Sequence, residues 1–170
     1  LGWVKYAGMR TVNRIFLDTS FWIRLFDPTD EDHINARAFF EYFLSHSDTI
    51  YLSTVVAAEY GIGGDLNHLP FDADKIRVVP FNLQHARKAA ELAKAAYTLN
   101  RKGAVALEKR VVIPNDTKIL AQAEVEGTDW FLARDRNCKS VHEMLAGEKL
   151  LTFSYLDLRT PVGEFLGELF

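Results

Sequence analysis

The chain has 170 residues, 48% of them hydrophobic and 25% charged, which suits one globular domain with its own core. Its 23 acidic against 20 basic residues give a formal net charge of -3, so the broad basic field common in nucleic-acid-binding domains is missing, although acids gathered around cations would offset that count. The single cysteine, Cys138, excludes an internal disulfide and a cysteine-based zinc cage. No apolar run approaches the roughly 20 residues that span a bilayer, so a cytoplasmic protein without a membrane role is expected.

Residues 1–12 read as an N-terminal extension without the long apolar core of a secretory signal. RIFLD, 14–18, is an apolar run ending on an acid and predicts a first buried strand. Thr19 and Ser20 are candidate caps for a helix over FWIRLF, in which Phe21, Trp22 and Phe26 fall at core spacing. A second helix follows from Asp32, its expected cap, with Ile34, Ala38, Phe39, Tyr42 and Phe43 at helical spacing. IYLST, 50–54, predicts a second strand, and VVAAEYGI a helix opening at Ser53 or Thr54. Gly61, Gly63, Gly64 and Pro70 mark a loop-rich stretch. RVVPF, 77–81, predicts a third strand, and the alanines from Ala86 to Ala96 a long helix stopping near Gly103. Residues 104–114 read either as a strand-like insert or as more of that helix. Asn115 is expected to cap the helix DTKILAQAEVEG, which closes on Gly127. DWFLARD, 129–135, predicts a fourth strand ending on an acid, SVHEMLAG a helix, and KLLTF, 149–153, a final strand. Strands alternating with helices imply an α/β fold with a mainly parallel sheet. The domain is expected over 13–156, with a tail over 157–170 whose Phe165, Leu166, Leu169 and Phe170 form an apolar stripe.

Asp18 and Asp135 each close a predicted strand, and ligands of an open parallel sheet collect beyond the carboxyl ends of its strands. Asp116 is expected at a helix start, where free amides and the dipole favour an anion. Glu59 sits among valines and alanines. Taken singly, each has a plain reading as a cap, a turn residue or a solvated helix acid. Together they fall in one half of the sheet. Close carboxylates repel by about 4 kcal/mol per pair at an effective dielectric near 20, which protonation or bound cations would relieve. Hard ions with oxygen ligands, Mg²⁺ or Mn²⁺, suit such a set. Zinc does not, because the five histidines show no metal-ligand spacing.

The segments FLDTSFWIRLF, LSTVVAAEYG, NDTKILAQAEVEG and DWFLARDRN, in this order, resemble the PIN domain, the family of VapC-type toxins and several RNA-processing nucleases. The resemblance covers about residues 13–153. It implies a three-layer fold with a central parallel sheet and helices on both faces, and Mg²⁺- or Mn²⁺-dependent cleavage of RNA. Carried over, Asp18, Glu59, Asp116 and Asp135 are the catalytic metal-binding acids, and Thr19 or Ser20 is a hydroxyl that orients Asp18. A homodimer and an antitoxin partner are further expectations. The chain departs from the pattern in the short glycine-rich stretch after Glu59, in RKGAVALEKRVVI before Asp116, and in its tail. These departures leave the acids in place and put the toxin role and dimer interface in question.

RNA would need cations near the acids. Arg134 and Arg136 bracket Asp135 and are the candidate RNA-binding residues; Arg101, Lys102, Lys109 and Arg110 form a second basic group that reads equally as solvated surface. Two other functions compete. In a phosphohydrolase Asp18 would be an aspartyl nucleophile, but the haloacid-dehalogenase pattern wants a second acid where Ser20 stands. A catalytically silent module would keep the fold and bind RNA or protein, with no reason to hold four repelling acids together.

Overall fold

The computed structural model describes residues 13–101 and 112–167. The N-terminal extension, most of 104–114, the side chains of the second basic group, Gly103, Leu169 and Phe170 lie outside the described residues.

Five short strands form one sheet: β1 (Arg14–Leu17), β2 (Thr49–Ser53), β3 (Ile76–Val79), β4 (Trp130–Ala133) and β5 (Ser154–Asp157). Their spatial order is β3-β2-β1-β4-β5, and every pairing is parallel. The α/β expectation is therefore met in a stricter form than a mainly parallel sheet. β1 lies in the middle with both faces covered, which is why Ile15, Phe16 and Leu17 are apolar without alternation and fully buried. Phe16 stacks on Phe131 of β4 at 5.7 Å between ring centres.

The helices are α1 (Thr19–Phe26), α2 (His33–His46), α3 (Thr54–Tyr60), α4 (Leu83–Arg101), α5 (Val112–Val125), α6 (Arg136–Gly147) and α7 (Val162–Leu166), with a short 3-10 turn at Leu66–His68. Parallel crossovers are almost always right-handed. The chain steps one way from β1 to β3 and the other way from β4 to β5, which puts α1–α3 on one face and α4–α6 on the opposite face. The packing agrees: α1 meets α2 and α3, while α4, α5 and α6 meet one another. The point of reversal lies between β1 and β4, and at such switch points the crevice beyond the strand ends opens.

Phe21 and Trp22 are fully buried as expected, and Phe26 stacks on Trp22. In α2 the buried stripe is Ala36, Phe39 and Phe43; Ile34, expected inside, is 83% exposed. The final strand is SYLD, not KLLTF. Hydrogen bonding explains the shift: the Thr152 amide donates to Glu124 (2.8 Å) and the Phe153 carbonyl is bonded to the His142 ring (3.1 Å), so these groups are not in a ladder. Leu151 and Phe153 still turn into the core. The helix read from Ser140 begins at Arg136, capped by Asp135. α5 begins at Val112, before Asn115, so Asn115 is not its cap. The tail packs on the domain through Phe165, which meets Trp130 edge-on at 5.1 Å and Phe39 at 5.7 Å.

Candidate active site

Asp18 leaves β1 and caps α1; Thr19 and Ser20 are the first helical residues rather than caps. Its Oδ2 accepts the Ser20 amide at 3.0 Å. Burial raises its pKa, the Ser20 hydroxyl and amide pull it down, and nearby Glu59 pushes it up again. Asp135 leaves β4 and caps α6 in the same manner, with Oδ1 accepting the amides of Asn137 (2.6 Å) and Cys138 (3.0 Å). The two acids flanking the switch point are thus fixed by helix N-termini, where amides and dipole favour a carboxylate.

The other two acids arrive on helices from opposite faces. Glu59 lies near the end of α3, and the Thr19 hydroxyl donates to its Oε2 in a very close contact. Asp116 lies inside α5, beyond its first turn, so the helix-start placement expected for it is not found. Its Oδ2 is buried without a hydrogen-bond partner. Burial first, and then the negative charges of Asp135, Asp18 and Glu59, push its pKa up to about 8. A buried polar link ties both helices to the sheet: the hydroxyl of Ser53, which caps α3, donates to Gln122 of α5, and the Gln122 amide donates to the Val79 carbonyl at 3.1 Å.

All four acids line one cleft of about 650 Å³, together with Thr19, Ser20, Arg134 and Arg136. Asn115, Ile23, Arg24 and Cys138 also line it, and the sequence reading had not placed these four there. Arg24 could have been found from its i+4 spacing to Ser20 on α1, where its Nη1 reaches the Ser20 carbonyl at 2.8 Å. Cys138 had no such signal. Burial and the surrounding acids raise its thiol pKa well above the ordinary value, so thiolate chemistry is not available here. Arg134 is not a free cation: its side chain is held by Asp32 and Glu31. Asp32 occupies the N-cap position of α2 as expected, but its carboxylate makes no cap bond.

Among the described residues, no three acidic, histidine or cysteine side chains stand close enough to enclose an ion as they are. That does not make a hard divalent ion a poor fit. Mg²⁺ and similar ions keep several waters and are commonly held by one or two carboxylates rather than by an all-protein cage. The unpartnered Asp116 oxygen, in a cleft shared by three further carboxyl groups, has the donor chemistry such an ion takes.

The PIN domain family profile matches residues 15–143. The chain belongs to the PIN domain family. No curated protein matches it closely enough to add to this. Among solved structures, VapBC2 from Rickettsia felis, bound to a DNA fragment from its promoter, is similar with a TM-score of 0.55 and 18% identity, covering 85% of this chain and 99% of that one. VapC20 from Mycobacterium tuberculosis, a sarcin-ricin loop cleaving toxin, is similar with a TM-score of 0.51 and 20% identity, covering 74% and 93%. At these identities the likeness is one of fold. Among the described residues, no helix is long and apolar enough to cross a membrane.

Proposed function

We propose that the protein is a Mg²⁺- or Mn²⁺-dependent endoribonuclease, with Asp18, Glu59, Asp116 and Asp135 as its metal-binding acids. The observation that carries this reading is Asp116, a buried carboxyl with an unpartnered oxygen, whose pKa is raised partly by the other three acids. Structural acids are normally paired or hydrogen-bonded when buried; perturbed groups gathered in a cleft mark functional sites more often than chance. Membership of the PIN family and the toxins among its structural neighbours support RNA as substrate and the toxin of a cytoplasmic toxin–antitoxin pair as the biological role. An antitoxin partner and a homodimer belong to the same reading.

A divalent ion held here supplies Lewis acidity toward a phosphodiester and relieves the repulsion among the carboxylates. The protein's own groups do the rest. Asp116 gives up its proton to solvent to become a ligand, so affinity for the ion rises with pH up to about 8. Ser20 aims Asp18, Thr19 aims Glu59, and the α6 amides aim Asp135. Arg134 and Arg136 line the same cleft and are the candidate guanidinium donors to backbone phosphates, Arg134 once its Glu31 contact is exchanged.

Cleavage of single-stranded RNA with Mn²⁺, abolished by chelation and by Asp18→Asn or Asp116→Asn, is the expected result. A phosphomonoester should remain intact. Full activity in either variant would sink the site assignment, and hydrolysis of the monoester instead would favour a phosphohydrolase. Absence of both cleavage and Mn²⁺-induced thermal stabilisation would favour a silent binding module.

A further inference from the structure

Arg134 follows β4 directly, and two donors on one edge of its guanidinium are bound by two different carboxylates. Nε donates to Asp32 in a very close contact, and Nη2 donates to Glu31 Oε1 at 3.0 Å. The two acceptors differ in kind. The Asp32 side chain is 14% exposed, faces the Arg24 Nε as well, at 3.8 Å, and sits on a backbone whose amide is held by Asp30 at 2.8 Å. The Glu31 side chain is 80% exposed, and this is its one hydrogen bond among the described residues.

The Arg134 backbone is also tied to the acids. Its amide donates to the Ser20 hydroxyl at 2.8 Å, and the Ser20 amide holds Asp18 at 3.0 Å. Arg134, Arg24 and Ser20 all line the cleft. A guanidinium donor of a residue that lines the proposed phosphodiester site is therefore occupied, in the free protein, by a solvent-exposed carboxylate oxygen.

We propose that Glu31 stands in for a substrate phosphate on Arg134 and is displaced when RNA enters, while Asp32 keeps Nε and so fixes the direction of the freed Nη2 donor beside it. The inference rests on the nuclease reading above. Exchanging one anionic oxygen for another at the same donor conserves the charge-assisted hydrogen bond. An exposed ion pair is weak and screened, so the Glu31 bond yields. The Asp32 pair is mostly withdrawn from water, and breaking it would leave the Arg134 Nε without its acid, whereas Arg24 Nε would keep Asp30 at 3.8 Å. Asp32 is thus a positioning residue, and Glu31 a competitor for the substrate.

Both substitutions, Glu31→Gln and Asp32→Asn, remove one negative charge from the same loop, yet opposite effects are expected. In steady-state cleavage of a short single-stranded RNA with Mn²⁺, Glu31→Gln lowers KM roughly two- to fivefold with kcat little changed. Asp32→Asn raises KM. Both effects disappear in an Arg134→Gln background. A general change of field would move KM in the same direction for both variants and would survive Arg134→Gln; that result overturns the proposal. If Asp32→Asn fails to fold, the comparison of Glu31→Gln with and without Arg134→Gln decides alone. Cleavage by the unaltered protein with an unchanged KM in Glu31→Gln overturns this inference only. No cleavage by the unaltered protein overturns the nuclease reading and this inference with it.

Discussion

Asp116 makes the sharpest test of the site because its burial affects stability as well as chemistry. The carboxyl ordinarily titrates near 3.8, but in the fold at about 8. Between these values the folded protein holds a proton that the unfolded chain has released. Its stability therefore falls as pH rises from about 4 to about 8, and above that the carboxylate pays its full burial cost. At about 1.4 kcal/mol per pH unit the penalty at pH 7 is at most about 4 kcal/mol. Relaxation and water entry bring it nearer ~2 kcal/mol. Asp116→Asn keeps the shape and cannot ionise. In EDTA the variant should melt ~4–8 °C above the unaltered protein at pH 7, at ~2–4 °C per kcal/mol for a chain of this size. Near pH 4 the two should melt together. Thermal denaturation followed by circular dichroism across this range measures both. A gain that is the same at pH 4.5 and pH 7.5, or no gain at all, would refute the reasoning.

Other expectations follow from single contacts. Thr19→Val removes the hydroxyl that orients Glu59 and should weaken Mn²⁺ binding ~10-fold or more, with Thr19→Ser recovering most of it; the half-saturating Mn²⁺ concentration is the readout. Ser53→Ala leaves the buried Gln122 amide oxygen without its donor and should cost ~1–3 kcal/mol in urea unfolding, lowering the midpoint without changing the slope. Phe165→Ala should cost ~3 kcal/mol, because the ring fills a gap between Trp130 and Phe39; a tail that merely hangs from the domain would show no loss.

The strand-end acids were legible because an apolar run that stops on an acid is a local pattern. Asp18 and Asp135 each needed only the few residues before them. Their capping role was less visible, since Thr19 and Ser20 are equally good caps by type, and the choice depends on where the chain leaves the sheet. The start of α5 was hidden by its own sequence: Val112, Ile113 and Pro114 look like a strand end by type, yet the helix begins at Val112, and a proline in the first turn costs no helix hydrogen bond. For the same reason Asp116 was placed at a helix start that lies a turn earlier. KLLTF is more apolar than SYLD, but its backbone groups are taken by Glu124 and His142, which no local pattern announces. The hold of Asp32 on Arg134 joins residues 102 positions apart, beyond the reach of any periodicity.

The central place of β1 has a consequence for the timing of synthesis. Its neighbours are β2, made soon after it, and β4, made near the end of the chain. Until β4 emerges, one edge of β1 is unpaired, the cleft has no second wall, and Asp135 does not yet exist to face Asp18. Pairings this distant in sequence close late, and domains generally fold as units once their elements are available. A chain that stops short of the fourth strand therefore lacks both Asp135 and that wall of the cleft, and under the proposed reading it should not cleave RNA.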